Sequence, residues 1–195
     1  MISALLLTAG FSERFGSPKA LAPLTSSTCV IEHLQKALLD SPVDDIVIVL
    51  GADAQKIKPR ILKNKRIRSV INADYHLGQT SSFQKGLKHL SLKTRGVLLL
   101  PVDYPFIKTD TIHILCDQFL LSPSKIMIPS FNGRKGHPPI FPISLKKDFL
   151  ALDHSQGINT VAQEHQSAAV IYPVDDSGVI KSFNTPEEFK KIKNS

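Results

Sequence analysis

Five residues near the front of the chain have the types and spacing to hold phosphate: Gly10, Ser12, Arg14, Gly16 and Lys19, in the run Thr8-Ala9-Gly10-Phe11-Ser12-Glu13-Arg14-Phe15-Gly16-Ser17-Pro18-Lys19. Glycine lets a backbone come close to a bulky group without a Cβ in the way. Backbone N–H groups, a guanidinium and an ammonium together make a cradle for phosphate oxygens. On spacing alone the same residues would also make a plain strand-to-loop turn with two solvated cations. The run is neither G-x-x-x-x-G-K-[ST] nor G-x-G-x-x-G, which excludes a P-loop and a dinucleotide fingerprint here. A carboxylate, Asp103, follows the apolar run Gly96 to Val102, where open α/β sheets bind ligands. An N-cap or Asx turn is the competing role for it. Ser81 and Ser82, after Gly78, suit an N-cap as well as a ligand contact. His137, in Gly133-Arg134-Lys135-Gly136-His137-Pro138, reads in isolation as a turn histidine bonded to backbone.

These residues need a scaffold, and the apolar pattern supplies one. Ala4 to Leu7, Asp45 to Leu50 and Gly96 to Val102 are continuous apolar or β-branched runs, as expected of buried parallel strands. Ser69 to Asn72, Lys125 to Pro129, a segment at Ile140 and Phe141, and Ala168 to Val174 read as further strands. Helical spacing marks Cys29 to Leu39, Thr111 to Leu121 and Leu145 to Leu152. Ala54 to Leu62 reads as a helix interrupted near Pro59. Thr185-Pro186-Glu187-Glu188 opens a last helix with a cap, Pro at the first position and acids in the first turn. The alternation predicts an α/β domain.

At 195 residues, 42% apolar and 21% charged, the chain matches one globular domain over residues 1–195 with a full-sized core. No apolar run approaches the roughly 18 residues a bilayer span needs, and no basic region precedes the first one, so no membrane segment or signal peptide is expected. Two cysteines, Cys29 and Cys116, are too few for a disulfide framework or a zinc site, which predicts a reduced cytoplasm. Net charge is +7, with much of the excess between Lys56 and Arg68. No aromatics interleave there for base stacking, so a solvated surface is expected rather than a nucleic-acid site.

Read as a whole, the run Leu7 to Lys19 resembles the L-A-A-G-x-S-x-R-M-G-x-x-K signature of nucleotidyltransferases, departing at Thr8 and Phe15. Among these it is most similar to the molybdenum cofactor cytidylyltransferase branch. Gly78 to Leu87 resembles G-x-x-S-S-L-x-x-G-L, Asp103-Tyr104-Pro105 resembles L-x-D-x-P, and Gly133 to Phe141 resembles G-R-x-G-H-P-x-x-F. Asp153 to Asn159 is a weaker version of D-x-G-x-R-x-L, and Asn184-Thr185-Pro186-Glu187-Glu188 is similar to the ending D-T-P-E-D. The resemblance implies a three-layer, Rossmann-like fold with a mainly parallel central sheet. It implies transfer of CMP from CTP to the phosphate of molybdopterin cofactor, with release of pyrophosphate. Arg14, Lys19 and Asp103 would be catalytic. Thr8, Ala9, Gly10, Lys19, Gly78, Ser81 and Ser82 would bind the nucleotide, and Arg134 and His137 the acceptor. Asp103 would hold Mg2+, or Mn2+ in its place, with Asn184 where the family carries a second aspartate. Asp175 or Asp176 could replace that lost carboxylate. The Ala9-Gly10 pair points to cytidine, because the guanylyl branch typically has Gly-Gly there. The shared front motif also admits another nucleoside triphosphate, and a sugar phosphate or other small phosphate ester as acceptor. Asn184 further admits a non-catalytic carrier that passes a bound cofactor to a molybdoenzyme.

Overall fold

The computed structural model describes residues 1–194. Eight strands form one sheet: β1 (Ile2–Thr8), β2 (Asp45–Leu50), β3 (Ile67–Ile71), β4 (Gly96–Pro101), β5 (Ile126–Phe131), β6 (Arg134–Lys135), β7 (Ile140–Pro142) and β8 (Ala169–Pro173). Their order is β3-β2-β1-β4-β7-β5-β6, with β8 also paired to β5. The β1/β2, β1/β4, β2/β3 and β5/β8 pairs are parallel; β7 runs antiparallel to both β4 and β5. The sheet is thus mostly parallel, as expected, with a reversed strand joining its two halves.

Seven α-helices cover it: α1 (Val30–Leu39), α2 (Ala54–Ile57), α3 (Gln79–Lys88), α4 (Thr109–Leu121), α5 (Lys146–Ala151), α6 (Asn159–Glu164) and α7 (Pro186–Lys193). Successive strand residues point to opposite faces, and β1 shows this directly. Ile2, Ala4 and Leu6 join Leu34, Leu38, Leu115 and Phe119 of α1 and α4 in one core; Leu5 and Leu7 join Phe83, Leu87, Phe149 and Val161 of α3, α5 and α6 in the other. Every residue of β1, β2 and β4 is buried. That is why these strands read as continuous apolar runs.

Some expectations shift. The helix expected over Ala54 to Leu62 ends at Ile57, and a 3-10 turn, Lys58–Arg60, takes over around Pro59, which has no N–H to continue the ladder. Asn132 and Gly133 both have positive φ (48° and 75°), so the turn before Arg134 is a two-residue hairpin joining β5 to β6. The helix α6 is an addition; Ile158, Val161 and Ala162, spaced three and four apart, pin it to the sheet. The basic segment closes the fold locally. Arg60 pairs with Glu32 at 3.1 Å, Arg66 donates to the carbonyls of Val43 and Leu39, and Arg68 pairs with the buried Asp45. No helix among the described residues is long and apolar enough to cross a membrane.

Candidate active site

The parallel strands β1, β2 and β4 deliver their carboxyl ends to one edge of the sheet, and there a cavity of about 390 Å³ opens. Its lining includes Thr8, Ala9, Gly10, Arg14 and Lys19 after β1, Asp53 after β2, Gly78 and Ser82 at the start of α3, Asp103 after β4, and Asn184 before α7. Nine of the expected site residues therefore face one space: those five, with Gly78, Ser82, Asp103 and Asn184.

The loop after β1 is shaped by two left-handed residues, Ser12 (φ 55°) and Gly16 (φ 73°). The first accepts backbone N–H bonds from Phe15 and Gly16, and its hydroxyl accepts from the Lys19 N–H at 3.2 Å. Lys19 then opens a 3-10 turn, Lys19–Leu21. Its Nζ donates to Asn184 Oδ1 at 2.8 Å and lies 5.4 Å from the centre of the Phe183 ring. Backbone pairing explains the meeting: the Phe183 N–H donates to the Asp103 carbonyl at 3.2 Å, stitching the C-terminal segment to the β4 loop. Thr185 and Glu188 close a capping box that fixes the start of α7, and the Asn184 N–H donates into it at 2.6 Å.

Burial sets the electrostatics. It lowers the pKa of Lys19, an effect opposed by the nearby Asp103 carboxylate and reinforced by Arg14. It raises that of Asp103, opposed by the Lys19 ammonium. Both charges are thus short of solvent and lean on each other, a state that a polyanionic phosphate and a cation would relieve.

Several residues depart from expectation. Ser81 does not line the cavity. Its hydroxyl donates to the Asp74 and Gly78 carbonyls and accepts from Asn72, so it braces the loop before α3. The Thr8 hydroxyl donates to the Val49 carbonyl at 2.9 Å, while Thr8 also lines the cavity. Asp176 is buried and accepts from Gly178 N, Lys108 N and Thr111 Oγ1. It clamps the segment before α7 to the start of α4, and neither it nor Asp175 lines the cavity, so neither replaces a metal-binding carboxylate at position 184. Phe11, whose ring stands edge-on to Tyr75 (5.1 Å between centres), lines the cavity as well, with Tyr75 and Gln79; neither charge nor spacing marks these three in the sequence.

The expected acceptor pair separates. His137 lines a second cavity, about 630 Å³, with Tyr104, Lys135, Phe141, Ile158 and Ile171. Arg134 is exposed on β6 and lines neither cavity; its neighbour Lys135 supplies the cation instead. The His137 ring lies 4.3 Å from that of Tyr104, tilted by 30°. Its Nδ1 is buried without a hydrogen-bond partner, and burial pulls the pKa down to about 4, so the ring is neutral at physiological pH. A neutral imidazole in a cavity of mixed polar and apolar lining suits an uncharged polar group better than an anion.

The sequence profile of the MobA-like NTP transferase domain matches residues 4–169. The chain belongs to that family. Among relatives of this MobA-like chain, "Nicotine blue oxidoreductase" of Paenarthrobacter nicotinovorans is 30% identical over 74% of this chain and 72% of its own. "Probable molybdenum cofactor guanylyltransferase" of Bacillus mycoides is 28% identical over 68% of this chain and 64% of its own, so the matched stretch is just under two thirds of that protein. Among solved structures, Rv0371c of Mycobacterium tuberculosis superposes with a TM-score of 0.85 at 20% identity, covering 100% of this chain and 98% of that one. The same protein is also known as a manganese complex, with a TM-score of 0.78. These superpositions match the fold: an α/β architecture around a mostly parallel sheet.

Proposed function

We propose that this nucleotidyltransferase moves CMP from CTP to the phosphate of molybdopterin cofactor and releases pyrophosphate. The observation that carries the reading is the convergence of Lys19 and Asp103, both half-buried and electrostatically coupled, on the cavity lined by Thr8 to Arg14. Transfer of this kind is mostly positioning plus charge neutralisation. Lys19 and Arg14 neutralise the triphosphate, the first from inside the cavity and the second from its exposed mouth. Thr8, Ala9, Gly78 and Ser82 line the space for base and ribose, and Gly10 lets the backbone approach the phosphates. The acceptor body occupies the second cavity beside His137, with Lys135 in its lining and Arg134 next to Lys135 on β6.

The residues fit a divalent ion only in part-assembled form. Among the described residues no group of three or more His, Cys, Asp or Glu could hold a metal. A hard cation such as Mg2+ or Mn2+ keeps several waters and takes substrate phosphates as ligands, so one carboxylate and one amide oxygen suffice. Asp103 and Asn184 would hold it. When bound, the ion would withdraw charge from the phosphate oxygens. Asn184 Oδ1 has a second lone pair beyond the one that Lys19 uses.

Cytidine is preferred because Ala9 stands where the resembled guanylyl branch typically has glycine. Ala9 lines the cavity and is 3% exposed, and behind it Gly51 packs so closely that a Cβ there would meet the Ala9 carbonyl and methyl. The second reading is guanylyl transfer, favoured by the name of the Bacillus relative. Buried, unpaired Cys29 and Cys116 suit a cytoplasmic setting. Labelled CTP offered with molybdopterin and with a panel of sugar phosphates tests the acceptor. Label on molybdopterin alone supports the reading; label on a sugar phosphate alone overturns it. Tight CTP binding with no label transferred would instead mark a carrier.

A further inference from the structure

Among the described residues, Gln79 is the one common to the linings of both cavities. It is exposed, begins the ten-residue α3, and follows Gly78, whose φ of 96° turns the chain into the helix. The facing wall is also split between the two spaces: Asp103 lines the first and its neighbour Tyr104 the second. The boundary between the cavities therefore runs between Gln79 on one side and the Asp103-Tyr104 peptide on the other.

We propose that Gln79 is a catalytic residue that hydrogen-bonds both substrates across the point of transfer, an inference that rests on the nucleotidyl-transfer reading. An attacking oxygen and the phosphorus it attacks must come to about 3–3.5 Å of one another. With a nucleotide in the first cavity and an acceptor in the second, that point is the boundary, and Gln79 flanks it. An acceptor phosphate oxygen attacks the α-phosphorus. One P–O bond forms, the bond to the β-phosphate oxygen breaks, and pyrophosphate leaves with the electron pair. A phosphate monoester is mostly dianionic at neutral pH, so its attacking oxygen brings no proton.

The amide has the right chemistry for this place. Its NH2 group offers two donors, one for an oxygen of each phosphate, and its carbonyl accepts from a hydroxyl or ring N–H of the acceptor. It is neutral. A carboxylate there would repel both anions, and a cation would hold the diphosphate product.

Two readouts test this. The first is the side-chain NH2 resonance pair of Gln79 in 15N-labelled protein, assigned by its loss in Gln79→Ala. It is followed while α,β-methylene CTP with Mg2+ is added, and then inorganic phosphate as a stand-in for the acceptor phosphate. The second is turnover of Gln79→Ala and Gln79→Glu with CTP and molybdopterin, with nucleotide affinity measured separately. The pair is expected to shift at both additions. Gln79→Ala is expected to lower kcat at least tenfold while nucleotide Kd stays within about twofold, and Gln79→Glu to lower kcat about a hundredfold. A resonance that ignores either probe, or a kcat within twofold of the parent in both variants, overturns the proposal. The transfer reading fails separately: shifts at both additions without pyrophosphate release from any nucleotide would contradict it and leave Gln79 at the junction.

Discussion

The Nζ of Lys19 donates to Oδ1 of Asn184 at 2.8 Å, across 165 residues of sequence. This bond ties the front loop to the C-terminal segment and stands beside the Asp103 carboxylate, whose charge supports the Lys19 ammonium. It joins the side of the cavity proposed to bind phosphate to the position where the resembled family carries a second aspartate. A neutral amide there leaves Asp103 as the single carboxylate among the residues assigned to the ion.

Divalent-ion affinity follows from that charge count. Asn184→Asp is expected to bind Mn2+ about tenfold more tightly without nucleotide, since one added charge close to an ion at partial burial contributes upward of ~1 kcal/mol. The electron spin resonance signal of free Mn2+ reports it. Equal affinities in the two proteins would remove position 184 from the ion's surroundings.

Charge neutralisation at the phosphates predicts the effect of losing it. Lys19→Ala and Asp103→Ala are each expected to lower turnover about a hundredfold. Binding should also depend on pH. Burial lowers the pKa of Lys19, and the protonated form is the one that attracts phosphate, so nucleotide affinity should fall as pH rises through that lowered value. Affinity that holds constant up to the ordinary lysine range would contradict the assignment.

His137 predicts a loss of stability in acid. Its pKa is about 4 in the folded chain against 6.5 for an unperturbed histidine. Below pH 6.5 the unfolded chain takes up a proton that the folded one refuses, so stability falls as pH drops from 6.5 toward 4. Between pH 7 and 5 the loss is about 2 kcal/mol. Denaturant unfolding at the two pH values should show it in the parent chain and a smaller drop in His137→Gln.

The cap of α7 supports the site from behind. Thr185 Oγ1 accepts from the Glu188 N–H at 3.2 Å, and Phe189 on the same helix packs 4.7 Å from Phe183, beneath Lys19. Thr185→Ala is expected to cost about 1 kcal/mol and roughly 2–4 °C in Tm, and to raise the KM for nucleotide severalfold. A lowered Tm with unchanged KM would separate the helix from the site.

Gly51 supports the Ala9 side of the cavity in a comparable way. A methyl there would collide with the backbone carbonyl of Ala9 and with the Tyr75 Cβ, so Gly51→Ala is expected to cost about 1–3 kcal/mol and weaken nucleotide binding. Calorimetry with CTP checks both, and an unperturbed variant would mean that the Ala9 loop can move.

Much of this was legible in the sequence because the strands are buried on both faces. Such strands read as continuous apolar runs, and the chemistry-bearing residues follow directly after β1 and β4. The reversed β7 was not legible: three residues, Ile140–Pro142, carry no periodicity that could reveal their direction. The glycines and prolines from Asn132 to Pro139 did signal a turn into a strand, but a return strand of two residues, Arg134–Lys135, is too short to show a pattern. Ser81 and Arg134 show the limit for the site. Both lie within motifs matched on residue type, yet one side chain turns inward to brace a loop and the other projects from a hairpin. Gln79 was missed for the opposite reason. No charge or spacing marks it, and only the meeting of two cavities gives it a role.

The most direct test of the central claim is pyrophosphate release from CTP, GTP and ATP, each with Mg2+ and with molybdopterin as acceptor. Release that depends on the acceptor and is fastest with CTP is the predicted result. Release with GTP alone would contradict the base assignment, and no release from any of the three, with nucleotide demonstrably bound, would contradict nucleotidyl transfer to this acceptor.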